Sequence, residues 1–160
     1  MIRPVTNLDL AQCAQVIRAA FLTVAEEFGF TEENAPRFTA FAVNAGWLDY
    51  QLNTEHRPMF AYFHGNLICG FYSLQNKENG AWELNNLCVL PEFRHKNIGR
   101  QLLDHAVKTV GDLGCTVLKI GIVEENTQLR NWYEDAGFVH TGTKKFDHFP
   151  FTCGYMELVL

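Results

Sequence analysis

The clearest candidate for a functional site in this sequence is a short basic segment that lies between an apolar run and an amphipathic helix. The segment follows the apolar run 87–90, and the residues after it have helical apolar spacing. A strand, a tight turn and a helix N-terminus direct several backbone N–H groups at one point, beside the positive end of the helix dipole. Such an arrangement binds phosphate or diphosphate, and a solvated basic loop is the alternative interpretation. The basic side chains are Arg94, His95, Lys96 and Arg100.

The same residues resemble the acyl-CoA-binding motif of the GNAT N-acetyltransferase family. That motif reads Arg or Gln, two variable residues, Gly, one variable residue, then Gly or Ala. Here Arg94 and Gly99 occupy the two ends, and Asn97 replaces the first glycine. Asparagine tolerates a left-handed backbone, so we expect the loop to keep its shape. The resemblance implies that seven residues bind acetyl-CoA: Arg94, His95, Lys96, Asn97, Ile98, Gly99 and Arg100.

The resemblance covers essentially the whole chain and implies further site residues on the strand before the basic loop. Glu83 lies eleven residues before Arg94, where several family members place a catalytic glutamate, and is the candidate general base. A solvated glutamate at a strand edge is the alternative. Leu87, Cys88 and Val89 would bind the pantetheine arm and polarise the thioester carbonyl through their backbones. Cys88 could instead carry the acyl group, although a small buried apolar residue is the simpler interpretation.

A third segment, from Asn126 to Phe138, is similar to the family pattern of asparagine, six residues, tyrosine, three residues, glycine and phenylalanine. The resemblance implies that Asn126 caps a helix and bonds the pantetheine arm. It also implies that Tyr133 donates a proton to the departing thiolate. A competing interpretation comes from helical spacing, because Leu129, Tyr133 and Ala136 share one stripe and Tyr133 could be a core residue.

Together these segments predict an acetyl-CoA-dependent N-acetyltransferase that acts by direct attack in a ternary complex. An amine with a pKa of about 10 needs a base, or a site that removes water from the ammonium, before it can attack. One alternative is a non-catalytic CoA-sensing or partner-binding module on the same fold. A dinucleotide-binding oxidoreductase is disfavoured, because only one of the three fingerprint glycines is present and the loop comes late in the chain.

The residues that bind the acceptor are harder to predict from the sequence, and two interpretations of them remain open. The acceptor is expected to be an amine of a small molecule or peptide. Four glutamates could attract a cationic amine, or they could form a solvated face: Glu26, Glu27, Glu32 and Glu33. Aromatic residues of the first helices and the last hairpin could line a pocket or belong to the core: Phe28, Phe30, Trp47, Tyr50, His148, Phe149 and Phe151.

Apolar periodicity and turn residues predict the order β-α-α-β-β-β-α-β-α-β-β. This order, which is also that of the family, implies an α+β fold of α/β/α layers. We expect a mixed, mostly antiparallel sheet of about seven strands with four helices, and one parallel crossover around the 98–113 helix. One helix is expected to start at Pro36 and to include Leu48. Side chains alternate between the two faces of a strand. In the strand 81–90 this alternation predicts that Trp82, Leu84, Cys88 and Leu90 lie on one face, and Glu83, Asn85, Leu87 and Val89 on the other.

Composition limits the class of protein. The 160 residues are enough for one compact domain over 1–160. A dispersed net charge of -5 argues against a nucleic-acid partner. Five scattered cysteines without a Cys-x-x-Cys pair predict reduced thiols, no metal site and a cytoplasmic location. We expect no signal peptide, no membrane partner and no apolar run long enough to cross a bilayer. A homodimer through the final hairpin is a hypothesis.

Overall fold

The computed structural model describes all residues 1–160 and contains one seven-stranded mixed sheet. The strands are β1 Ile2–Pro4, β2 Met59–His64, β3 Leu67–Asn76, β4 Ala81–Val89, β5 Val117–Val123, β6 Val139–Lys145 and β7 Thr152–Val159. Their order across the sheet is β1-β2-β3-β4-β5-β7-β6. Only the pair β4–β5 is parallel, and every other pair is antiparallel. The predicted fold class and its single parallel crossover are confirmed.

Five α-helices accompany the sheet, one more than expected. They are α1 Leu10–Phe28, α2 Thr39–Ala42, α3 Ala45–Asp49, α4 Ile98–Asp112 and α5 Thr127–Asp135. The predicted second helix is wrong in two respects, because helical structure starts at Thr39 rather than Pro36 and is interrupted near Asn44. The side chain of Asn44 accepts a hydrogen bond from the Trp47 N–H at 2.8 Å and begins a new helix there.

Two apolar clusters hold helices on opposite faces of the sheet. On one face, α4 contributes Leu102 and Leu103, which pack with Tyr72 and other sheet residues. On the other face, α1 contributes Ile17, which packs with Phe71 of β3. Burying one such aliphatic side chain stabilises the fold by about 1.5–3 kcal/mol. This packing fixes the start of α4 near the end of β4.

A β-bulge interrupts β4. Ser73 of β3 lies opposite Asn85 of β4, and Phe71 lies opposite Cys88, so two residues of β4 face a single residue of β3. Asn86 within the bulge has φ of 55°, a left-handed conformation that asparagine tolerates. Side-chain alternation along β4 is therefore broken at this point.

The bulge reverses the faces that strict alternation predicts for the end of β4. Leu84 belongs to the α4-side cluster, and Leu87 and Val89 pack against the same cluster. Cys88 belongs to the α1-side cluster. The grouping of Cys88 with Leu84, and of Leu87 with Glu83, was wrong, because the extra residue shifts every later side chain to the opposite face.

The first helix contradicts the expectation that no apolar segment is long enough to cross a bilayer. By length and composition, residues Asn7–Phe28 are long and apolar enough to span a bilayer. In the structure α1 packs against β3 and β4. Core helices of soluble proteins can be equally long and apolar, so this feature is weak evidence for a membrane span.

Candidate active site

β4 and β5 separate along their length and leave part of the sheet open. They pair only over residues 81–83 of β4 and 117–119 of β5. Beyond these positions the ladder ends, although both strands continue to Val89 and Val123. The edge of β4 that would face β5 is therefore free to accept an extended ligand as an additional strand.

A cavity of about 500 Å³ lies against the end of β4. Its walls come from α1, the end of β4, the loop before α4, the first turn of α4, and α5. The predicted site residues that line it are Leu87, Cys88, Val89, Arg94, His95, Asn97, Ile98, Gly99, Arg100, Asn126 and Tyr133. Glu83 and Lys96 do not line it. Three separate sequence segments thus meet around one space.

Sequence reasoning did not identify the α1 wall of this cavity. Four lining residues of α1 belong to no motif of the predicted site: Ala20, Phe21, Thr23 and Val24. Phe93, Gln128, Leu129 and Trp132 were also missed as lining residues. Only the folded chain brings α1 beside the loop, so the sequence held no local signal for this contact.

The loop before α4 has the shape that the motif requires. Asn97 has φ of 64° and ψ of 14°, so it adopts the left-handed conformation expected where the family motif has glycine. His95 is also left-handed, with φ of 62°. The backbone therefore turns sharply twice before α4 begins. The expected effect of asparagine at this position is confirmed.

Six consecutive backbone N–H groups at the start of α4 have no acceptor within the protein. They belong to residues 95–100, and the first helical bond is made by the Gln101 N–H to the Asn97 carbonyl at 3.1 Å. The side chain of Asn97 does not cap the helix, and its first turn contains no acidic residue. These donors and the helix dipole make a strong site for an anion.

The positively charged side chains of residues 94–100 make different contacts. The Lys96 Nζ lies 5.3 Å from the centre of the Phe93 ring. The Arg100 Nε donates to Asp104 Oδ1 at 2.9 Å on the exposed side of α4. The Arg94 guanidinium donates hydrogen bonds to groups of α1 and β4. Backbone donors rather than cationic side chains therefore dominate the anion site.

Tyr133 is both a core residue and a cavity residue. It is only 6% exposed, and its ring packs against Phe138 at 5.3 Å between centres. Its hydroxyl has no hydrogen-bond partner within the protein. Burial raises the pKa of Tyr133 well above its ordinary value, and the nearby Cys88 thiol raises it further. The phenol therefore remains protonated at neutral pH and can donate a proton.

The Cys88 thiol is not activated as a nucleophile. Burial raises its pKa well above the ordinary value, and the neighbouring Cys13 adds to the increase. Arg94 acts in the opposite direction, but its effect is smaller than that of burial. A thiol with a raised pKa carries little thiolate at neutral pH. The structure gives no support to a covalent intermediate on Cys88.

Asn126 occupies the N-cap of α5, as expected. Its Oδ1 accepts a hydrogen bond from the Leu129 N–H at 3.2 Å. This bond fixes the start of the helix that carries Tyr133, and Asn126 also lines the cavity. Its contact with a pantetheine arm stays a prediction.

Glu83 lies at the fork between β4 and β5, on the sheet face opposite α4. Its Oε1 accepts a hydrogen bond from Asn85 Nδ2 at 2.7 Å, and its Oε2 lies 3.8 Å from Lys77 Nζ. Its side chain is 32% exposed. The carboxylate is therefore held in place and reachable by water, but it is separate from the cavity that holds Tyr133.

The residues considered for the acceptor site divide between core and surface. Phe30 and Phe151 are buried in a third apolar cluster with Phe38, and Phe28 and Phe149 pack against it. The remaining aromatic residues and all four glutamates are exposed: Trp47, Tyr50, His148, Glu26, Glu27, Glu32 and Glu33. Glu27 is also part of the cavity wall. An aromatic acceptor pocket made from all seven residues is absent.

Comparison with known proteins identifies the family. The sequence model of the Acetyltransferase (GNAT) family matches residues 19–138. The matched region contains β4, the loop before α4, and the helix with Tyr133. The chain therefore belongs to the GNAT acetyltransferase family.

Two curated relatives are similar over different lengths. An uncharacterised N-acetyltransferase of Mycobacterium tuberculosis strain H37Rv is 24% identical over 95 residues, which cover 59% of this chain and 61% of the relative. The chain thus spans less than two thirds of that relative. An uncharacterised N-acetyltransferase of Lactobacillus delbrueckii subsp. lactis is 25% identical over 145 residues, covering 83% of this chain and 80% of the relative.

Solved structures share the fold at low sequence identity. The ribosomal-protein-S18-alanine N-acetyltransferase of Escherichia coli superposes with a TM-score of 0.78 at 17% identity, covering 99% of this chain and 92% of the other. The PaiA N-acetyltransferase of Thermoplasma acidophilum, solved with coenzyme A, gives 0.75 at 20% identity, covering 100% and 98%. At these identities the likeness shows the fold alone.

Proposed function

We propose that this protein is an acetyl-CoA-dependent N-acetyltransferase that modifies a primary amine of a small molecule or peptide. One observation carries the proposal: five of the six residues with unpaired N–H groups at the start of α4 line the cavity that also contains the Tyr133 phenol. An anion site and a proton donor thus share a single space. The coenzyme A present in the Thermoplasma acidophilum neighbour supports the same ligand class.

The residues at the start of α4 fit a diphosphate. A Cβ placed on Gly99 would meet only Trp132 at 3.6 Å and Val89 at 3.8 Å, which are ordinary contacts. The glycine is therefore not required by the protein's own packing. Its lack of a side chain instead leaves room for a ligand to approach the backbone amides.

Acetyl-CoA would supply an activated acyl group as cosubstrate. Glu83 would take a proton from the amine, directly or through water, so that the nitrogen lone pair can attack the carbonyl carbon. The backbone of Leu87–Val89 would bind the pantetheine arm along the open edge of β4 and polarise the carbonyl. As the new C–N bond forms and the C–S bond breaks, Tyr133 would give its proton to the departing sulfur.

A transfer assay tests this proposal. Release of the CoA thiol from acetyl-CoA would be followed with a panel of polyamines, amino acids, aminoglycosides and peptides. The Escherichia coli neighbour is named for alanine of ribosomal protein S18, which supports including peptide α-amines. Amine-dependent thiol release is the expected result. Tight CoA binding without release for any amine, or for a metabolite extract given labelled acetyl-CoA, would favour the CoA-sensing module. A cytoplasmic location and a homodimer stay predictions.

A further inference from the structure

We infer that Arg94 is a positioning residue that joins α1 to the end of β4 and holds the cavity wall in place. The family motif would assign it to the cofactor, but its guanidinium donates to Val89 of β4 and to Ala20 and Thr23 of α1. The inference deepens the proposed function and rests on it only for the identity of the ligand. We call the group formed by Arg94, Thr23, Ala20 and Val89 the α1 brace.

Three hydrogen bonds define the α1 brace. The Arg94 Nε donates to the Val89 carbonyl at 3.3 Å. Its Nη2 donates to the Ala20 carbonyl at 3.1 Å and to Thr23 Oγ1 at 3.0 Å. The Thr23 hydroxyl in turn donates to the Ala20 carbonyl at 2.8 Å, which orients its oxygen as an acceptor. One planar side chain thus connects β4 to a helix more than 70 residues earlier in the sequence.

The braced part of α1 forms a wall of the cavity. Ala20 and Thr23 line it, together with Phe21 and Val24 on the same helix. Phe21 also meets the Phe38 ring edge-on at 6.1 Å between centres, at the border of the third apolar cluster. A shift of α1 would therefore change both the width of the cavity and the packing beside it.

The chemistry of the contacts requires arginine rather than any cation. All three acceptors are uncharged, and no carboxylate pairs with Arg94. A planar guanidinium can donate to β4 and α1 at once from fixed positions, whereas a lysine ammonium is a single point charge. Lysine should keep the positive charge near the anion site but lose the brace. The Arg94→Lys change thus separates charge from positioning.

The test uses two variants and two measurements on the purified full chain. Arg94→Lys removes the planar donor, and Thr23→Val removes one acceptor at nearly constant volume. Hydrogen exchange of residues 20–28 is measured without ligand, and the affinity for CoA is measured by calorimetry. Exposed positions whose side chains make no hydrogen bond within the protein supply the matched controls Arg37→Lys and Thr143→Val.

The brace predicts the same result for both variants. Exchange in residues 20–28 should rise by about threefold or more, while β5 is unchanged. The affinity for CoA should fall by roughly 3–10-fold in each, and the double variant should lose little more than either alone, because both changes break one network. The controls should match the wild type.

Two outcomes would overturn the inference. If Arg94→Lys weakens CoA binding while Thr23→Val matches the wild type in both measurements, Arg94 acts on the ligand directly. If neither variant alters exchange in α1, the brace does not hold the helix. Exchange is measured without ligand, so failure of the wild type to bind CoA would count against the proposed function and leave the brace test intact.

Discussion

Glu83 and Lys119 are the last residues at which β4 and β5 are paired. The two parallel strands separate immediately after this pair. The Glu83 carboxylate therefore stands where the sheet opens, on the face opposite α4. The fork places a proton acceptor beside the free edge of β4, which is the edge that would bind the pantetheine arm.

Replacement of Glu83 by glutamine tests its role as base. The amide keeps the size of the side chain but cannot take a proton. We expect the turnover with an amine at neutral pH to fall by about 10²-fold or more, with CoA affinity within about twofold of wild type. Steady-state kinetics and calorimetry measure the two quantities. The exposed Glu78→Gln serves as control, and wild-type turnover in the Glu83 variant would remove it from the mechanism.

Substitutions at Gly99 separate folding from ligand binding. The space around Gly99 accommodates a Cβ, and alanine is favoured over glycine in a helix, by up to about 1 kcal/mol in its interior and less in the first turn, where Gly99 lies. Gly99→Ala should therefore preserve or raise the melting temperature. Gly99→Asp places a negative charge beside the free amides, so CoA affinity should fall at least about 10-fold. Calorimetry showing undiminished affinity in the aspartate variant would contradict the anion site.

Tyr133→Phe removes the proton donor and keeps the packing of the aromatic ring unchanged. The hydroxyl has no protein partner, so the melting temperature should stay within a few degrees of wild type. Turnover should drop by about 10²-fold, because the thiolate must then leave without a proton from the enzyme. Affinity for acetyl-CoA should hardly change. The exposed Tyr50→Phe provides the matched control, and an unaltered turnover would show that Tyr133 serves only the core.

The buried thiol of Cys13 predicts how stability depends on pH. Burial raises the pKa of Cys13 from 9.0 to about 12, and the Asp9 carboxylate contributes further. Above pH 9 the unfolded chain releases this proton while the folded protein retains it. The contribution of Cys13 to the free energy of unfolding is therefore greatest below pH 9. It falls towards pH 12 by up to about 1.4 kcal/mol per pH unit.

Urea unfolding of Cys13→Ala between pH 8 and pH 10.5 measures that contribution. The variant should show a shallower loss of unfolding free energy above about pH 9 than the wild type. Cys153→Ala, which removes a partly exposed thiol, should change the slope less. An identical slope in the wild type and the Cys13 variant would contradict the prediction.

Gly154 provides space for a carboxylate. A Cβ at this position would overlap Glu124 Oε2, which lies 2.8 Å from His140 Nε2. The other carboxylate oxygen accepts from Arg130 Nη1 at 3.1 Å. Gly154→Ala should displace the Glu124 carboxylate from its two partners and lower the free energy of unfolding by roughly 0.5–1 kcal/mol. Gly121→Ala, whose nearest atom would be at 4.0 Å, is the control and should be neutral in a denaturant titration.

The sequence by itself determined the features that depend on neighbouring residues. Asn97 is left-handed and Asn126 caps α5, because both conformations are set within a few residues. Apolar periodicity was sufficient for the long helices and the seven strands. The segment around Asn44 was misjudged, since a local cap overrode a continuous apolar pattern.

Only the tertiary structure decided where distant segments meet. The direction of the Arg94 side chain depends on Ala20 and Thr23, which come more than 70 residues earlier in the chain. The bulge at Asn86 depends on the register with β3 and moves Cys88 to the α1 face. A sequence pattern records spacing along one segment, whereas these contacts arise when separate segments pack against each other and bury apolar surface together.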